Sequence, residues 1–118
     1  MKDLTNTERQ QLLGKIKSFL NITWNDQDTN TELMDMIYSG INRLDQIAGA
    51  ELYYLITPET ESTDKTYNVM SYLAFDLLKN RVFYQREKAL DDFEKNYSGD
   101  ILSLYTYGKV YKHINANK

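Results

Sequence analysis

The chain has no cysteine, a single proline and only five glycines in 118 residues. Without cysteine there is no disulfide and no thiolate metal site, and a reducing compartment is permitted rather than required. So few breakers favour long helices over many short strands. Histidine occurs once, at His113, which excludes paired imidazole ligands. No apolar run approaches the roughly 18 residues of a membrane span, and the N-terminus lacks the apolar core of a secretion signal. The expectation is a soluble chain made in the cytoplasm, with no membrane partner. No internal repeat or low-complexity tract is visible.

Apolar residues make up 42% of the chain and charged residues 26%, so a folded core with a wet surface is expected. The length suits one domain with one modest core. The net charge of −3 is unevenly spread. Between Trp24 and Asp64, nine acidic residues face Arg43 alone; between Lys79 and Lys118, eight basic residues face five acidic ones. Such asymmetry lets the acidic flank of one copy meet the basic flank of the next. Two ordinary solvated faces would read the same way.

The first fifty-one residues read as a helical hairpin. Thr5 and Glu8 form a capping box ahead of a helix to about Leu20. Leu12, Leu13, Ile16, Phe19 and Leu20 form its apolar stripe. Gly14 interrupts that helix and marks a place where a close helix crossing is expected. An acidic loop carrying Trp24 follows. Thr29 and Glu32 suggest a second capping box, and Leu33, Ile37, Ile41, Leu44 and Ala48 step along a second helix to Gly49, which fits a left-handed cap. Glu51 to Ile56 is apolar without helical period, so a short extended stretch along the bundle is expected. Thr57-Pro58 suits a turn or helix start, and Glu59 to Lys65 reads as a polar, mobile loop. A third helix begins near Ser62 or Thr63, with Tyr67, Met70, Leu73, Ala74, Leu77 and Leu78 as its broad apolar face. A break is expected between Asn80 and Gln85. A fourth helix carries Ala89, Leu90, Phe93 and Tyr97 and ends at Gly99. Beyond it, Leu104, Thr106 and Gly108 alternate with Tyr105, Tyr107 and Lys109, which reads as a partly extended arm.

Chemistry-bearing motifs are few. Asp26-x-Asp28-x-Asn30 resembles the start of a calcium loop, but Thr31 stands where the turn needs glycine and Ile37 where a bidentate glutamate is needed. Helix capping explains these carboxylates better. His113 has no positioned carboxylate in the sequence pattern, and Ser39 and Ser103 lack a visible base. There is no phosphate loop or nucleophile elbow. No catalytic, metal-binding or cofactor-binding set emerges, and enzyme activity is not expected. Lys79, Arg81, Arg86 and Lys88 interleave with Phe83 and Tyr84, the one stretch able to grip nucleic acid. The acidic balance argues against tight DNA binding, and a solvated or subunit-facing helix surface fits the same residues.

Ten tyrosines are many for this length, and tyrosine is enriched at interfaces. Trp24, Tyr53, Tyr54, Arg81, Tyr84, Arg86, Tyr105, Tyr107 and Tyr111 form the candidate contact set. Trp24 fits either a contact or a lid over the hairpin, and the aromatic tail fits docking on its own domain or on a neighbour. The fold expected is all-α: a bundle of about four helices with a long central helix and a partly extended C-terminal arm.

The order of these signals resembles the head–tail connector (head completion, or adaptor) proteins of long-tailed bacteriophages. The matching pieces are Lys17-Ser18-Phe19-Leu20-Asn21-Ile22-Thr23-Trp24, Leu44-Asp45-Gln46-Ile47-Ala48-Gly49-Ala50-Glu51, Asn80-Arg81-Val82-Phe83-Tyr84, and Phe93-Glu94-Lys95-Asn96-Tyr97 followed by Ile101-Leu102. The likeness covers most of Leu12 to Leu104 and rests on order and spacing rather than on a signature. It implies a helical connector-like domain over 1–104 with an arm over 105–118. It further implies a homo-oligomeric ring, dodecameric in the virion, between the portal protein and a downstream connector or tail protein, through which phage DNA passes without tight binding. The place implied is the head–tail junction of the virion, after synthesis in the host bacterial cytoplasm. The sequence departs from the family in the loop from Thr57 to Lys65 and in the basic tail after Gly108. The alternative is a small helical binding or regulatory module that contacts nucleic acid or protein.

Overall fold

Thr5 closes the first turn of α1 (Asn6–Phe19) as its spacing predicts. Its hydroxyl accepts from the Glu8 amide at 3.1 Å while its own amide donates to the Glu8 carboxylate at 3.0 Å. Leu12 and Ile16 are fully buried, and Ile22 follows them into the core. The helix stops at a left-handed asparagine, Asn21 at φ 59°. The Ile22 amide then donates back to the Lys17 carbonyl at 2.8 Å and the Asn21 amide to the Ser18 carbonyl at 3.2 Å, a Schellman closure that seats the apolar Ile22. These features come from a computed structural model that describes residues 3–116.

Helix α2 (Gln27–Ala48) starts earlier than the sequence pattern suggests. Its cap is Asp26, not Thr29: the Asp26 carboxylate accepts from both the amide (3.0 Å) and the hydroxyl (2.9 Å) of Thr29. A charged acceptor outcompetes a neutral hydroxyl at an N-terminus. Those two bonds, the amide first, hold the Asp26 carboxyl below its ordinary range. Gly49 ends the helix in the left-handed region at φ 69°, as expected for a C-terminal glycine.

The next segment is non-helical and mostly buried, with Leu52, Tyr54, Leu55 and Ile56 inside. Buried irregular backbone needs partners, and side chains supply them. Asp45 on α2 accepts from the Tyr54 hydroxyl at 2.7 Å and from the Leu52 amide at 3.2 Å. The Tyr67 hydroxyl donates to the Glu51 carbonyl at 2.9 Å. Pro58 opens a 3-10 turn, Pro58–Thr60. The polar loop after it is pinned rather than loose. The Ser62 amide donates to the Asn68 side-chain oxygen at 2.9 Å, and the Asn68 side-chain nitrogen returns a bond to the Ser62 carbonyl at 2.8 Å.

Helix α3 (Lys65–Arg86) is capped by Asp64 and buries Met70, Ala74, Leu77, Leu78 and Val82. It runs unbroken through Asn80–Gln85. The break falls just beyond, where left-handed Lys88 (φ 57°) lets the Ala89 amide reach the Tyr84 carbonyl at 2.8 Å. The short α4 (Leu90–Asn96) inserts Phe93 into a ring cluster with Tyr84 and Tyr97.

The last expectation needs the largest correction. Residues Ser98–Ala116 form one helix, α5, so there are five helices among the described residues and no extended arm up to Ala116. Residues 117 and 118 of the expected arm lie outside the described part. Gly99 sits inside α5 rather than capping α4. The physical reason is a helical stripe of Ile101, Leu104, Gly108 and Tyr111, spaced three or four apart, which packs on α2 and α3. Leu104 and Gly108 are buried, and the Tyr111 ring lies tilted against Tyr67 with ring centroids 5.7 Å apart.

Helices α2, α3 and α5 form the central layer, with α1 laid mainly on α2 and α4 bridging α3 and α5. The body measures 48 × 32 × 21 Å. Two glycines set the helix crossings. A Cβ on Gly40 would meet the Leu78 Cδ1 at 2.5 Å, and a Cβ on Gly108 would collide with the Ala48 carbonyl. Gly14 is not a crossing, because nothing lies within 4 Å of where its Cβ would be. It weakens α1 by about 1 kcal/mol relative to alanine with no packing return inside the chain.

Candidate interaction surfaces

The candidate contact residues divide by location once the helices are placed. Trp24, between α1 and α2, is 51% exposed and so is not a lid over the hairpin core. Arg86, Tyr105 and Tyr107 are also exposed. Tyr53 is half-buried at the edge of a groove. Tyr84 and Tyr111 are half-buried in ring contacts within the chain. Tyr54 is fully buried; its hydroxyl is spent on Asp45, and burial first, then the Asp45 charge, pushes its pKa far above the usual tyrosine value. Tyr54 therefore belongs to the core and offers no surface.

Arg81 is likewise a correction. It is only 7% exposed, at the seam where Gly40 lets α2 and α3 approach. One terminal guanidinium nitrogen makes long bonds of 3.4 Å to the Ser39 hydroxyl and to the Gln85 side-chain oxygen, while its Nε is buried without a hydrogen-bond partner. Burial lowers its pKa, and the nearby Glu94 carboxylate opposes that shift. The four basic residues considered for nucleic acid thus do not share a face. Arg81 points inward, Lys79 lies over the rings of Phe19 and Phe75, and Lys88 lies past the end of α3.

Several exposed apolar residues escape a reading that treats the tail as extended. On α5 they are Leu102, Val110 and Ile114; on α3 they are Val69, Tyr72 and Phe83. Tyr107, Val110 and Ile114 step by three and four, the spacing of a helical stripe. Tyr111 late in α5 meets Tyr67 early in α3, and Tyr97 just before α5 meets Tyr84 late in α3, so the two helices run antiparallel. That register sets Val69 and Tyr72 at the level of Tyr107 and Val110.

Two grooves flank this body. One, of about 880 Å³, lies between α1, the segment after Gly49 and α3. Gly14 lies along it, with Lys15, Phe19, Tyr53, Phe75 and Lys79 around it. The Lys15 and Lys79 ammonium groups both sit over the Phe75 ring, at 5.7 and 5.2 Å, and Lys79 also covers Phe19 at 5.0 Å. The other, of about 550 Å³, lies between α2, α4 and α5. There Arg43 faces Glu94 at 3.4 Å beside Ile47, Ile101, Leu102 and Tyr105. Both are open and shallow, of a shape that accepts a side chain or loop more readily than it encloses a small substrate.

The displaced ionisable groups have local structural causes: a helix cap at Asp26, burial at Tyr54, Tyr67 and Arg81, partial burial at Tyr72 and Tyr97, and the Tyr105 hydroxyl beside Lys109. Among the described residues, no group of three or more His, Asp or Glu side chains converges so as to hold a metal ion, and no helix is long and apolar enough to cross a membrane. Asp28, Glu32 and Asp35 line the outer face of α2, exposed and four or three residues apart. In comparisons with known proteins, no family model, no curated protein and no solved structure matches this chain, so the chemistry of these surfaces carries the functional reading.

Proposed function

We propose that this chain is a structural subunit of a phage or prophage head–tail connector, assembling into a ring between the portal and the tail. The observation that carries the reading is the distribution of large apolar side chains left in water. Phe19 and Trp24 project around the α1–α2 end, Val69, Tyr72 and Phe83 from α3, and Leu102, Tyr105, Tyr107, Val110 and Ile114 from α5. A ring subunit needs two different, mutually complementary flanks. A ring placed between two neighbours needs an upper and a lower surface as well. Exposed apolar residues on several sides of a 118-residue body fit that requirement better than they fit a free monomer.

Charge supports the same reading. The acidic pair Glu32 and Asp35, exposed on α2, would repel passing DNA, and a conduit must not hold its cargo. Under this proposal the ring is a homo-oligomer, dodecameric in the virion. The portal binds one end of the ring and a further connector or tail protein the other. The site of action is the head–tail junction, after synthesis in the bacterial cytoplasm. The protein works by assembly, with no turnover and no cofactor.

Removing the gene from its phage or prophage tests this. Electron micrographs of the lysate should show capsids and tails accumulating separately, with joined particles restored by expression of the chain in trans. Normal tailed particles without the gene would refute the proposal.

A further inference from the structure

We propose that the groove between α1 and α3 receives the Trp24–Asp28 loop of a second copy of this chain; the inference rests on the assembly reading and supplies one contact for it. Three observations converge on the pairing. Gly14 carries the propensity cost of a mid-helix glycine, yet nothing outside its own helix comes within 4 Å of where its Cβ would be. Bare helix backbone at this point admits a close approach from outside.

The groove is also basic and aromatic. Lys15 and Lys79 converge over Phe75, and no acidic residue lines the cavity. Asp76, 3.8 Å from Lys79, is the carboxylate beside it. The loop that follows α1 is the complement: Trp24 is 51% exposed, and Asp28 and the capping Asp26 are exposed and make no ion pair among the described residues. Indole is the best ring partner for an ammonium group, and the Asp28 carboxylate, with the capping Asp26 beside it, matches the sign of the two lysines. Groove and loop are different surfaces of one subunit, so with one contact to each neighbour the arrangement is head-to-tail, the kind that closes into rings or propagates.

Trp24 is the only tryptophan, so its fluorescence reports the contact directly. Sedimentation velocity and Trp24 emission are followed as the wild-type chain is concentrated. Association should grow with concentration as the emission shifts to the blue. Gly14→Leu should fold at least as well as wild type, because leucine is a better helix former and its Cβ would meet nothing within 4 Å, yet associate at least about tenfold more weakly, a change of about 1.4 kcal/mol. Lys15→Glu and Asp28→Lys should weaken association similarly, and the double variant should recover part of the loss. Mixing Gly14→Leu, which has an intact loop, with Trp24→Ala, which has an intact groove, should give pairs that stop at two chains.

Association of Gly14→Leu at wild-type strength would overturn the pairing, and so would Trp24 emission that ignores concentration. If Gly14→Leu still builds complete rings on the portal, this docking pair is wrong while ring assembly stands. If the wild-type chain never adds to the portal, the assembly reading itself fails.

Discussion

A Gly108→Ala chain should lose about 2 kcal/mol of folding free energy, even though alanine is the better helix former by about 1 kcal/mol. Steric overlap decides the sign. A methyl group at position 108 runs into the Ala48 carbonyl, with the Ala48 carbonyl carbon and Cα within about 3 Å behind it. The obstacle is backbone at the end of α2, which cannot rotate aside as a side chain would. Relief requires α5 to move outward, and that movement disturbs the burial of Leu104 and the Tyr67–Tyr111 contact. Leucine at 108 should detach the helix altogether, lowering helical content well before the rest of the bundle unfolds. Gly99→Ala is the control in the same helix: nothing lies within 4 Å of its Cβ position, so it should be neutral or stabilising. Urea unfolding followed by far-ultraviolet circular dichroism distinguishes the pair. Equal effects at 99 and 108 would mean that α5 does not pack on α2 through Gly108.

The second large effect is expected at Asp45. Its carboxylate takes the Tyr54 hydroxyl at 2.7 Å and the Leu52 amide at 3.2 Å, fastening an irregular buried segment to α2. Asp45→Ala removes the carboxylate acceptor that both bonds share, and the expected loss is about 3 kcal/mol. Tyr54→Phe removes only one member of the contact and should cost about 1 kcal/mol. In the double variant the losses should fall short of additive, because both substitutions break the same bond.

Alkaline pH offers a second readout. The ordinary tyrosine value is 10.0, and burial, then the Asp45 charge, raises Tyr54 above it. Below about pH 10 the phenol is protonated in both folded and unfolded chains, so its contribution is complete there. Above that pH the unfolded chain releases the proton and the folded chain keeps it, so stability falls as pH rises. Tyr54→Phe should make that fall shallower without abolishing it, since burial also raises Tyr67 and Tyr97. An unchanged alkaline slope would show that Tyr54 is open to solvent.

The two ends of the hairpin were readable from sequence because capping chemistry is local: Thr5 with Glu8, and Gly49 at a left-handed cap, need only their neighbours. Helix α3 was legible through its dense apolar stripe. Helix α5 was not, because Tyr105 to Lys109 alternates in polarity while also fitting a helical stripe that passes through a glycine. Counting Gly108 as a core position would have joined Leu104 to Tyr111. The same rule separates the crossings: Gly40 and Gly108 lie on apolar stripes and meet a neighbouring helix, whereas Gly14 lies off its stripe and meets nothing.

Among the contact candidates, Trp24, Tyr105 and Tyr107 sit where a partner can reach them. Tyr54 and Arg81 were misplaced for separate reasons. A buried non-helical segment has no period to reveal which way Tyr54 faces. A charge at position 81 invites a surface reading although Leu77, Leu78 and Val82 around it are buried.

Mass photometry of portal rings, alone and after incubation with the purified chain, addresses assembly most directly, with the portal taken from the same genome. The portal particle should gain the mass of about a dozen 13.9 kDa chains in one cooperative step, leaving few intermediate species. A portal mass that does not change at saturating chain, or a gain of a single copy, would contradict the ring.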